Sequence, residues 1–151
     1  MTAPSQTQRR TLIRFGTAMA VGNLVWEIAQ VPLYTLWLTG TSGEIAFDVM
    51  HCMLGDIVIA AVCLGGALSI LGRHGWPERG YAKVATATVV AALCYTVFSE
   101  WLNVEVRGSW AYRELMPTLP ILGTGISPVL QWLVVPIVSF WWAKQDDSGK
   151  S

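Results

Sequence analysis

The chain has 151 residues, 53% of them hydrophobic and only 13% charged, with a formal net charge of zero. Charged residues make up about a quarter of a soluble domain, so this composition excludes an ordinary water-soluble globule. Balanced charge also gives no electrostatic reason to bind nucleic acid, which leaves the lipid bilayer as the first partner to expect.

Four long apolar stretches lie at 11–38, 45–71, 81–102 and 126–143. Each is near or above the roughly 17 to 25 residues that carry a helix across the hydrocarbon. Backbone groups in lipid must be satisfied within the segment, so helices are required there. The predicted fold is all-α: a polytopic membrane protein built as a four-transmembrane-helix bundle. It forms one domain over 9–145, between a disordered tail at 1–8 and a solvated tail at 146–151. Eight of the ten basic residues fall in the N-terminal tail, the connection between the second and third stretches, and the C-terminal tail. These three segments share one side, and the positive-inside rule makes that side cytoplasmic. The expectation is a multi-pass protein of a bacterial cell (inner) membrane with both termini in the cytoplasm. A long extracytoplasmic loop then separates helices 3 and 4.

The run Gln8-Arg9-Arg10-Thr11-Leu12-Ile13-Arg14, followed by Ala18-Met19-Ala20, has the outline of a twin-arginine export signal. The apolar run between Arg14 and Ala18 is shorter than the about 7 to 15 residues of a signal core, so an uncleaved anchor is predicted instead. In the same span Glu27, Gln30 and Tyr34 recur at i, i+3 and i+7 and make a narrow polar stripe. Pro32 is predicted to kink the span near its end. Thr39 to Glu44 is a short turn without basic residues.

In the second span Asp48, His51, Cys52, Gly55 and Asp56 fall within an arc of about 140° on a helical wheel, a single face. Gly55, Gly65, Gly66 and Ala67 are small enough to predict close helix approach. The connection that follows holds Trp76-Pro77 and His74, read as a solvated loop histidine. The third span ends in Glu100 and Asn103, whose spacing echoes Glu27 and Gln30. The connection 103–125 carries Arg107, Trp110, Tyr112 and Arg113, residue types that suit the headgroup layer. Its apolar residues argue against disorder, and a loop of this length is predicted to act as a lid. Gln131 enters from the fourth span. Cys52, Cys63 and Cys94 lie inside spans and read as small apolar residues.

These polar groups all fall in the outer half of the bundle. A carboxylate facing lipid at those depths costs a few kcal/mol, so they should face inward and form a shaft reaching mid-membrane. Four carboxyl groups with one imidazole and no basic residue invite protonation, and at least one of Glu27 and Asp56 is expected to be neutral at pH 7. The leading expectation is an enzyme or binder that handles a small or lipid-like apolar molecule by acid/base chemistry. Glu27 or Asp56 would deliver a proton and His51 or Glu100 would take one up. Gln30, Tyr34, Asp48, Asn103, Trp110, Tyr112 and Gln131 would bind the ligand.

Three alternatives remain open at this level. The acids would also serve as the relay of a proton-linked transporter or of an accessory subunit, in a homo-oligomer or a larger membrane complex. Glu27, Asp48, His51 and Glu100 offer one nitrogen and several oxygens, a set suited to a divalent metal such as Zn, Mn or Fe, although no spacing here is a metal signature. Haem is disfavoured because the only other histidine, His74, lies in the cytoplasmic connection. A network that only fixes packing is the structural alternative. Trp26, Trp101 and Trp110 are candidates for an aromatic cage around a cation.

Overall fold

The structure, a computed structural model, describes residues 5–72, 75–120 and 122–145. Arg73, His74, Ile121 and the tails at 1–4 and 146–151 lie outside the described residues, so the readings of His74 and of the C-terminal tail are left as they stand. The regular structure of the described residues is helical, and their β features are two isolated bridges, Tyr34 with Tyr112 and Thr118 with Gly125.

Helix α1 spans Gln6–Gln30. It starts inside the stretch expected to be a disordered tail, because Ser5 and Gln8 form a capping box. The Ser5 hydroxyl accepts from the Gln8 amide at 3.2 Å, and the Gln8 side chain accepts from the Ser5 amide at 2.9 Å. This satisfies two of the donors that a helix start leaves open. Gln8 Nε2 also donates to the Trp76 carbonyl at 2.7 Å, which ties the helix start to the connection between the second and third apolar stretches.

The first apolar stretch is not one helix. Pro32 has no N–H to donate into the ladder. The chain leaves α1 at Gln30, makes a 3₁₀ turn over Val31–Leu33, extends at Tyr34 and forms the four-residue helix α2, Leu36–Thr39. The carbonyls freed by this break are met by the long loop: Arg113 Nη1 donates to Pro32 O at 2.6 Å and the Arg113 amide to Leu33 O at 2.9 Å. In return, the Thr35 amide donates to Ala111 O at 3.0 Å.

Helix α3, Ser42–Leu71, begins three residues before the predicted boundary because Thr41 and Glu44 form a second capping box. Helix α4, Tyr81–Trp101, continues as a π-helical turn over Leu102–Val106, and α5 covers Ile126–Lys144. Among the described residues, three segments are long and apolar enough to cross a membrane: Ser42–Leu71 with mean hydropathy 2.2, and Tyr81–Val106 and Ile126–Lys144 with 1.5 each. Helix α1 matches them in length, but its arginines, Asn23, Glu27 and Gln30 keep it below that apolarity.

The long helices close into a ring in which α1 packs on α3 and α5, and α4 packs on the same two. Gly22 brings α1 against α5, since a Cβ there would lie 2.7 Å from Val135 Cγ1. Gly55, Gly65 and Gly66, predicted to do this on α3, have open space where a Cβ would sit and mediate no close approach within the chain. One end of the ring, called the basal end here, carries the start of α1, the α3–α4 connection and the end of α5. Its core is apolar and aromatic: Phe15 lies 4.3 Å from Phe140, and Trp76 stacks on Tyr81. The opposite, loop end carries the break after α1 and the segment 107–125.

Candidate functional site

The residues that hold the site come from all four long helices. Asn23, Glu27 and Gln30 on α1 share one buried face at i, i+4 and i+7. Asp56 on α3 and Gln131 on α5 are buried opposite them. The Gln131 amide is the hub. Its Nε2 lies 2.9 Å from Glu27 Oε1, 2.8 Å from Asp56 Oδ2 and 3.1 Å from Asn23 Oδ1, while its Oε1 accepts from Gln30 Nε2 at 3.3 Å. The two carboxyl groups also lie within hydrogen-bonding reach of each other. Gln30 Oε1 in turn accepts from Ser127 Oγ at 2.9 Å, and Ser127 Oγ accepts from the Trp26 indole at 3.2 Å.

Above this floor a cavity of about 510 Å³ rises toward the loop end. Its walls include Tyr34, Asp48, His51, Cys52, Thr96 and Glu100, and Ser109 and Trp110 stand at the mouth. Ile59, Val31 and Trp132 give the lower wall an apolar side. Glu100 is held from behind: the Gly125 amide donates to the Tyr112 hydroxyl at 3.0 Å, and that hydroxyl donates to Glu100 Oε2. Burial first, and then the negative charge of Glu100, push the Tyr112 phenol up from its ordinary value. Tyr112 packs on the Tyr34 ring at 5.4 Å. Trp110 sets its indole beside the Glu100 carboxylate, although its Nε1 reaches no acceptor at full hydrogen-bond geometry.

Of the residues singled out from sequence, Glu27, Gln30, Asp56 and Gln131 converge on the floor, and Tyr34, Asp48, His51, Glu100, Asn103 and Trp110 line the cavity. Three of them stand apart from their expected roles. His51 is exposed at the rim and stacks on Phe47 at 5.8 Å. Asn103 spends its amide on Ser99, one turn earlier in its own helix. Tyr112 lies outside the cavity wall and acts through Glu100. The three-tryptophan cage is not assembled either, because Trp26 and Trp101 do not line the cavity. The quartet Glu27, Asp48, His51 and Glu100 does not gather as a ligand set: among the described residues, no three His, Cys, Asp or Glu side chains are grouped to hold a metal ion.

No family model, curated protein or solved structure matches this chain. What the site does has to be read from its own chemistry. Three contributors were missed in the sequence. Asn23 extends the Glu27 and Gln30 stripe by one more turn, and Ser127 lies four residues before Gln131, so helical spacing would have found both. Thr96 lies four residues before Glu100 and carried the same signal.

Proposed function

We propose that the chain is a small integral protein of the cell (inner) membrane that crosses it four times, with α1 as the first span and both termini cytoplasmic. Its cavity then opens to the extracytoplasmic side and handles a small or lipid-like molecule by acid/base chemistry at Glu27 and Asp56. Arg9, Arg10, Arg14, Arg79, Lys83 and Lys144 all belong to the basal end, which supports this orientation.

The observation that carries the proposal is the hydrogen inventory at Gln131. Its amide nitrogen has two hydrogens for three oxygens, two of them carboxyl oxygens, and the Gln30 amide within reach of Glu27 adds a hydrogen there but none between the two carboxyl groups. An ionised carboxylate has none to add. Glu27 and Asp56, within reach of each other, balance the site when they share one proton, with the amide bonds completing the set. Such a pair offers an acid and a base side by side to a molecule lying above it.

A binder or enzyme is favoured over a proton-linked carrier by what lies below the floor. The buried hydroxyls there are spent on their own helices, Thr88 on Val84 O at 2.8 Å and Ser139 on Val135 O at 2.7 Å. Phe15, Met19, Leu64 and Phe140 surround them, and the second cavity that Phe15, Met19 and Leu64 line, of about 350 Å³, is apolar, so among the described residues no polar path continues toward the basal end. The test is solvent extraction of the purified protein followed by mass spectrometry. One stoichiometric small molecule is expected, absent from the Glu27→Gln protein. Bulk lipid alone in both preparations would remove the reading.

A further inference from the structure

We propose that the upper half of the cavity binds a primary or secondary ammonium group carried on an apolar body, with Glu100 as its counter-charge and Tyr34 and Trp110 as aromatic walls. This rests on the cavity being the working site, and it names the charge of what enters.

The first reason is an imbalance of charge. Carboxylates at membrane depth pair with a cation or with water, and no Lys or Arg lines this cavity. Of the two loop arginines, Arg113 is turned to the Pro32 carbonyl, and Arg107 is exposed and does not line the cavity. His51 is exposed at the rim on the same helix as Asp48, one turn away, and so serves Asp48 and not Glu100. Glu100, across the cavity, meets the Tyr112 hydroxyl and the Trp110 indole but no positive group. A carboxylate has room for about four hydrogen bonds, so acceptor capacity remains on its cavity side.

The second reason is Thr96. This residue is 6% exposed, lines the cavity and has a hydroxyl with no partner. A helical threonine ordinarily returns its hydroxyl to the carbonyl four residues back, as Thr88 does to Val84. Thr96 leaves that bond unmade. Because it lies four residues before Glu100, the two share a helix face and present two acceptors about one turn apart. An ammonium with two or three N–H donors spans such a pair, and its charge is attracted to the aromatic faces beside it. Among the described residues no ligand set for a divalent metal is grouped here, and the apolar lining at Ile59, Val31 and Trp132 receives the rest of the molecule.

Two sources carry this chemistry, a free hydrophobic amine and the headgroup of phosphatidylethanolamine. Calorimetry on the full chain in phosphatidylcholine nanodiscs, with empty discs subtracted, tests both. Phenethylamine is the probe and phenethyl alcohol its neutral analogue. The amine is expected to bind on the order of tenfold tighter, the size of one charge-assisted hydrogen bond. Glu100→Gln is expected to bring the two affinities together. Where Glu100→Gln does not fold, Thr96→Val is read instead and must lose several-fold in amine affinity with little change for the alcohol. Phosphatidylethanolamine in the discs weakens the amine if the headgroup is the natural occupant and leaves it unchanged if a free amine is. Equal binding of amine and alcohol, or a preference that survives these substitutions, overturns the ammonium assignment. If both probes bind equally and both are lost in Glu27→Gln, that assignment alone falls and the acid/base cavity stands. No binding of either probe, with nothing extracted from the purified protein, removes both.

Discussion

The two ends of the ring solve opposite problems with the same four helices. At the basal end the core side chains pack on one another: Phe15 on Phe140, Trp76 on Tyr81, and the Tyr81 hydroxyl donates to the Phe140 carbonyl at 2.5 Å. Cations there sit on aromatic faces, with Arg14 4.6 Å from the centre of Trp142 and Lys144 5.7 Å from Tyr81. At the loop end the helices enclose a cavity and line it with acids, and no Lys or Arg is in that lining. Stability is concentrated in the first region. The second keeps polar groups that packing alone does not require.

The contrast is sharpest at Phe15. Phe15→Ala removes the contact of two rings 4.3 Å apart in the basal core and is expected to cost about 3 to 5 kcal/mol. Reversible unfolding in mixed micelles measures this, and ligand capture at the loop end should persist under folding conditions. Gln131→Leu comes next, at about 3 kcal/mol, because it withdraws the donor from Glu27, Asp56 and Asn23 together. A Gln131→Leu protein as stable as the parent would break the comparison, since the floor would then contribute nothing. Tyr112→Phe leaves the Gly125 amide without its acceptor and frees Glu100, at about 1 to 2 kcal/mol.

The same residue gives a pH signature. The raised phenol of Tyr112 means that its contribution is complete below the unfolded value of about 10 and is lost as pH rises above it. The parent is therefore expected to lose stability in alkali, and Tyr112→Phe to lose less over the same range. The smallest effect is expected at Gly65. With open space around a Cβ in mid-helix, Gly65→Ala should leave stability unchanged or raise it by no more than about 1 kcal/mol. A large loss there would mean that α3 meets a partner absent from a single chain.

The apolar helices were legible because lipid selects long apolar runs, and α5 differs from its predicted span by one residue. The convergence of Glu27, Asp56 and Gln131 followed from helical periodicity and the cost of facing lipid. Other features required contacts distant in sequence. Pro32 announced a disturbance in the first span, but whether the chain kinks or leaves the helix depends on the carbonyl partners that Arg113 brings from 81 residues away. The part played by Tyr112 was hidden for the same reason, since its place behind Glu100 depends on the Gly125 amide. The glycines of α3 misled because small size permits close approach without requiring it. The early start of α3 was readable in Thr41-Ser42-Gly43-Glu44, a local capping signal.

The backbone bonds between the break after α1 and the long loop run in both directions, Thr35 to Ala111 and Arg113 to Leu33. Neither strip of chain can swing away without releasing the other. A molecule too wide for the resting aperture must therefore wait for two remote stretches to part in one concerted step. Its residence time would then be governed by that clasp as well as by how tightly the interior holds it.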